Sequence, residues 1–132
     1  MPLPIVNEQG QEFESVEAFN NLLIKGRDAQ YLLTPHMFHG GVHLSDESVP
    51  WGRDRAPVRC IADGEVVAYR MMKQYLTSEY QGEQLRYSNS FCLVRHRYQE
   101  TSPEGEKREF RYSSLYMHLC PLDEYPQAKR YR

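Results

Sequence analysis

Two histidines four residues apart, His39 and His43, flank Gly40-Gly41-Val42. A neutral imidazole can offer a ring nitrogen to a metal, and the glycines allow a sharp turn or a close backbone approach. On a strand the even spacing would set both rings on one face. A catalytic zinc takes about three protein ligands and keeps one position for water, so this pair can supply two of them. The same spacing suits surface or hydrogen-bonded histidines, and it does not by itself choose between the two. His36 lies just upstream.

A second histidine phrase, Leu115-Tyr116-Met117-His118-Leu119, stands far along the chain. His118 is either a ring bonded to nearby backbone or a chemical group. In the second case it is a general acid/base or an electrophilic donor facing a metal-bound water. His96, between Arg95 and Arg97, suits a structural or a substrate-facing place, and Tyr116 offers a hydroxyl beside His118. His118 and Cys120 would share a strand face, but a buried thiol is a commoner fate for such a cysteine than ligation. Asp46, Glu47 and Asp54 follow His43; they read as solvated loop carboxylates or as groups that orient a histidine. No nucleophile elbow, phosphate loop, dinucleotide fingerprint or HExxH helix is present.

The elements that must position these groups follow from local pattern. Ser15 can cap a helix running to Lys25, with Val16, Phe19, Leu22 and Leu23 on one face and Gly26 at its end. Tyr31–Leu33 reads as a short strand. Ser45–Ala56 reads as a loop with Trp51 as a packed anchor. Pro57–Ile61 and Glu65–Arg70 read as strands joined by a turn at Asp63-Gly64. Residues 73–89 are polar and read as a loop or lid. Ser90–Tyr98 alternates, with Phe91, Leu93 and Arg95 on one face and Cys92, Val94 and His96 on the other. After a turn at Thr101–Glu106, Phe110–Leu119 returns as the partner strand of an antiparallel hairpin.

With 132 residues the chain suits one domain, and a net charge of -2 gives no basic footprint for nucleic acid or a membrane surface. Arg and Lys are dispersed, apart from a short basic end, Lys129-Arg130-Tyr131-Arg132, which reads as a solvated tail. Ten tyrosines favour strands, where a ring packs on a pleated surface and its hydroxyl reaches water. No apolar run reaches the roughly 20 residues that a spanning helix needs, and the first residues lack the pattern of a signal peptide. Three cysteines, Cys60, Cys92 and Cys120, without a CxxC pair suggest reduced thiols and cytoplasmic synthesis. Any role at a cell wall would then need a specialised delivery route.

The order of the phrases carries a further implication. His39-Gly40-Gly41-Val42-His43 is followed by Pro57-Val58-Arg59-Cys60-Ile61-Ala62-Asp63-Gly64-Glu65-Val66-Val67. Next come Asn89-Ser90-Phe91-Cys92-Leu93-Val94-Arg95-His96 and Ser114-Leu115-Tyr116-Met117-His118-Leu119. In this register the chain resembles the lysostaphin/LytM-type zinc metallopeptidases, which cleave peptide cross-links of bacterial peptidoglycan. Their phrases run H-x-G-[I/V]-D, P-V-x-A-x-x-D-G-x-V, V-x-[I/V]-x-H, L-Y-x-H-L and H-L-H-F-E.

The resemblance covers about residues 38–120 and implies a mainly β fold with one short N-terminal helix. The antiparallel β-sheets would be of the duplicated-hybrid-motif-like kind, over 31–132, behind an arm and helix over 1–30. It implies His39 and His43 as zinc ligands and His118 as the histidine beside the metal. His96 and Tyr116 would lie toward substrate, and peptidoglycan peptides would be the partner. Two departures stand out. His43 replaces the family's ligating aspartate, and the H-L-H-F-E phrase, which carries the third ligand, has no counterpart. A domain lacking its C-terminal part is therefore expected, with an exposed sheet edge open to pairing with another chain. The alternative is a non-catalytic module of the same fold that binds peptidoglycan or regulates a partner.

Overall fold

The computed structural model describes residues 2–26, 40–52 and 56–124. The chain divides into two compact units, Met1–Ile61 and Ala62–Arg132. Among the described residues the architecture is mainly β, with antiparallel sheets and one short α-helix. The expected strand at Tyr31–Leu33, together with His36, His39, Asp54 and the basic end, lies outside the described residues.

The first unit is built on helix α1, Val16–Lys25. Ser15 is extended and its hydroxyl accepts from the Ala18 N–H at 3.0 Å, which satisfies one of the unpaired donors of the first turn. Phe19 and Leu23 point into a core with Ile5, Val49, Trp51 and Ala56, while Leu22 packs at its margin and Val16 stays exposed. Gly26 follows the helix because Ser48 presses against it: a Cβ there would lie 2.5 Å from that of Ser48. The Trp51 indole N–H donates to the Val6 carbonyl at 3.0 Å, so the expected packed anchor is also pinned at its polar edge.

Residues 57–61 form no strand. Arg59 instead ties this segment to the N-terminal arm, its N–H donating to the Pro4 carbonyl at 2.8 Å. Its guanidinium donates to the Leu3 carbonyl and to Glu12.

Among the described residues the second unit holds five strands: β1 Glu65–Arg70, β2 Leu76–Tyr80, β3 Glu83–Tyr87, β4 Ser90–Thr101 and β5 Lys107–Leu119. Strands β1, β4 and β5 make an antiparallel sheet with β4 in the centre, and β2 and β3 pair separately as a hairpin. The expected loop or lid at 73–89 is thus largely a β-hairpin. Its turn, Gln81-Gly82, has φ of 49° and 81°, the double positive φ that matches the twist of a two-residue hairpin. The short 3-10 helix Leu122–Glu124 follows β5 and is tied back by Leu122 N–H to the Met72 carbonyl at 2.9 Å.

The β4–β5 hairpin is longer than the alternation suggests, pairing from Phe91↔Met117 to Thr101↔Lys107 in one register. Cross-strand alignment therefore places Val94 and His96 on the same face as Tyr112, Ser114 and Tyr116. Val94 and His96 are buried at 4% and 1% exposure, whereas Leu115 and Met117 on the opposite face remain exposed. Two irregularities interrupt the sheet. One lies between Val66 and Ala68 of β1, and the other brackets His118, since Phe91 pairs Met117 but Ser90 pairs Leu119.

Candidate functional site

His118 is the extra residue of that second irregularity. Its φ of 58° lies in the left-handed region, where a bulge of this kind normally places glycine and where an L side chain costs about 1–2 kcal/mol. Such a residue persists only when its surroundings fix it. Here they do. The His118 Nδ1 lies 2.7 Å from the Ser88 carbonyl oxygen. A carbonyl only accepts, so Nδ1 carries the proton. The exposed ring then has Nε2 with no hydrogen-bond partner among the described residues.

Ser88, which holds this ring, is itself buried, at 2% exposure, and Ser90 is fully buried. The Ser88 hydroxyl donates to the Leu119 carbonyl at 2.6 Å and accepts the Ser90 N–H at 3.0 Å. The Ser90 hydroxyl in turn accepts the Met72 N–H at 2.9 Å. Ser88 thus braces the backbone next to His118, and Ser90 braces Ser88. Ser90 belongs to the matched phrase, but Ser88 was not singled out by sequence reasoning. A pair of small hydroxyl residues at the start of a strand was the signal, and it is a weak one.

His96 presents the opposite case. Its Nδ1–H donates to the Asp63 carbonyl at 2.9 Å, and its Nε2 lies 2.7 Å from the Ser114 hydroxyl. With Nδ1 protonated, Nε2 accepts from Ser114. The Ser114 oxygen also lies 3.1 Å from the Tyr116 hydroxyl, which extends the row. Tyr112 stacks on the ring, with centroids 4.7 Å apart and planes at 21°, and Phe110 stacks on Tyr112 in turn. Gly64 passes so close that a Cβ would come within 2.7 Å of the His96 Nδ1, the Arg95 carbonyl oxygen and Val94. The Asp63-Gly64 signal, expected to make a hairpin turn, therefore marks this close approach and a carbonyl aimed at His96.

His96 and Tyr116 thus meet through Ser114. His118 stands apart from His96: its position is six residues beyond Tyr112, the cross-strand partner of His96, which is roughly 20 Å along a strand.

His43 is exposed and belongs to the first unit; its expected companion His39 is outside the described residues. Among the described residues no group of three or more His, Cys, Asp or Glu gathers in a way that could hold a metal ion. Cys60 is exposed, Cys92 and Cys120 are half-buried, and none of the three is in a disulfide. No helix among the described residues is long and apolar enough to cross a membrane.

No family model matches the chain, and no curated protein or solved structure does either. The chemistry of the site therefore has to be read from its own residues.

Proposed function

We propose that this chain is a lysostaphin/LytM-like endopeptidase domain acting on peptide bonds of bacterial peptidoglycan, with His118 as its proton-transfer group. The observation that supports this reading is the state of His118: exposed, in a left-handed bulge, Nδ1 held by a carbonyl and Nε2 left open. Strain of this kind at a single polar residue is characteristic of functional sites. An imidazole so held can take a proton from an attacking water and return it to the leaving amine.

Zinc belongs to the proposal through the His39/His43 phrase alone. The described residues do not assemble a complete ligand set, so no step is routed through the metal.

The test uses the full chain purified with zinc supplied. Stoichiometric zinc that is lost in His39→Ala, with cleavage of muropeptides lost in His39→Ala and His118→Ala, supports the reading. Absence of both zinc and cleavage refutes it.

A second reading, a non-catalytic module that binds peptidoglycan peptides, is favoured by the sheet itself. Its outer strands β1 and β5 present edges onto which an extended peptide can add, and Leu115 and Met117 of β5 are exposed. Saturable muropeptide binding with no cleavage, unaffected by His118→Ala, would select it.

A further inference from the structure

Ser88 holds His118 by its main chain and is itself held by its side chain. The Ser88 carbonyl takes the Nδ1 proton at 2.7 Å, while the Ser88 hydroxyl is clamped between the Leu119 carbonyl and the Ser90 N–H. Leu119 directly follows His118, so the hydroxyl ties the residue after the bulge to the residue whose carbonyl orients the ring. Ser90 is itself held, its hydroxyl accepting the Met72 N–H. Both serines are almost fully buried, so these bonds do not compete with water.

From this arrangement we infer that Ser88, braced by Ser90, is a positioning residue that holds neutral His118 in its Nδ1–H tautomer. A free histidine side chain in water prefers its proton on Nε2, so the clamp works against the ring's own preference. The consequence is specific. Neutral His118 accepts at Nε2 and cannot donate there, which assigns it the part of a general base that becomes the acid only after it has taken a proton. An electrophilic role for the neutral ring is thereby ruled out. The consequence for turnover rests on the endopeptidase reading, whereas the tautomer does not.

The tautomer is read directly from ring nitrogen shifts of His118 in ¹⁵N-labelled full-length protein, at a pH where the imidazole is neutral. The wild-type protein should show a protonated Nδ1 and a bare Nε2. Ser88→Ala should move the ring to a mixed or Nε2–H population, and Ser88→Thr, which keeps the hydroxyl, should restore the wild-type pattern. Amide spectra confirm that each variant is folded, and the wild-type measurement decides the tautomer without any variant. A wild-type Nε2–H ring, or a Ser88→Ala ring unchanged from wild type, overturns the inference.

Muropeptide cleavage separates this inference from the functional reading. Ser88→Ala should lower kcat by roughly 10–100-fold with KM little changed, the range seen when a partner orienting a catalytic group is removed. A tautomer that responds to Ser88 in a protein that cleaves nothing refutes the endopeptidase reading and leaves the positioning role standing. Cleavage that depends on His118 while the tautomer ignores Ser88 does the reverse.

Discussion

The β4–β5 ladder carries a histidine near each of two stations, and the same first bond leads them to opposite ends. His96 and His118 both give their Nδ1 proton to a backbone carbonyl. At His96 the remaining nitrogen is met by Ser114, the ring is covered by Tyr112, and the side chain is 1% exposed. At His118 the remaining nitrogen meets nothing among the described residues, and the ring is exposed on a backbone bulge. A carbonyl that fixes a tautomer is therefore neutral as to purpose. Whether the second nitrogen is capped decides if the histidine serves the sheet or is available for chemistry.

The largest expected effect breaks this comparison at its chemical end. His118→Gln should reduce muropeptide cleavage by about 10²–10⁴-fold, the usual worth of a general base, while the thermal midpoint stays close to wild type. The next breaks it at the structural end. His96→Leu orphans the Asp63 carbonyl and leaves the Ser114 hydroxyl with Tyr116 alone, at about 1–3 kcal/mol for the group left unpaired, and equilibrium denaturation should report it. Gly64→Ala attacks the same place by overpacking and should cost about 1–3 kcal/mol.

A smaller difference sharpens the contrast through the backbone. His118→Gly relieves the left-handed φ and His118→Val aggravates it. The glycine variant should therefore be the more stable of the two by about 1–2 kcal/mol, although neither cleaves. Equal stability would show that the bulge is not a strained setting.

The smallest effect lies on the other face of the ladder. Glu109 is held below the usual carboxylate range by its bond from Gln99 and then by Arg111, with Arg97 adding to the field. The folded state thus binds its proton later than the unfolded chain as pH falls. The stabilisation is complete above the unfolded carboxylate range and disappears as pH drops through the lower, folded value. A pH series of thermal midpoints from about pH 5 downward should show a gentler acid limb in Glu109→Gln. It should show no change in the His118 tautomer.

The parts of this arrangement that repeat were legible in the sequence. Alternation from Ser90 onward placed Val94 and His96 together, and the apolar spacing after Ser15 gave the helix and its buried face. Strands β2 and β3 escaped because only Leu76 and Tyr87 are even half-buried, so no period of two is written into their side chains. Their turn and ladder make the hairpin instead. Pro57–Ile61 looked like a strand by composition, but Arg59 draws it to the N-terminal arm. The bulge at His118 was hidden because the residue there is not glycine, the usual mark of a positive φ. The Asp63-Gly64 signal was real but named the wrong cause, since a glycine required for close approach looks the same as one required for a turn.

The hairpin β2–β3 also bears on how the second unit comes together in time. Strands β4 and β5 pair across a five-residue turn, so their contacts begin locally and can zip outward early. Strand β1 must find β4 across a gap that starts at Arg70↔Phe91, twenty-one residues apart, and widens to thirty at Glu65↔Arg95. A hairpin that forms on its own inside that gap shortens the free chain to be closed. Substitutions along the β4–β5 ladder should then slow folding, whereas those in β1 should mainly speed unfolding, a partition that stopped-flow kinetics can measure.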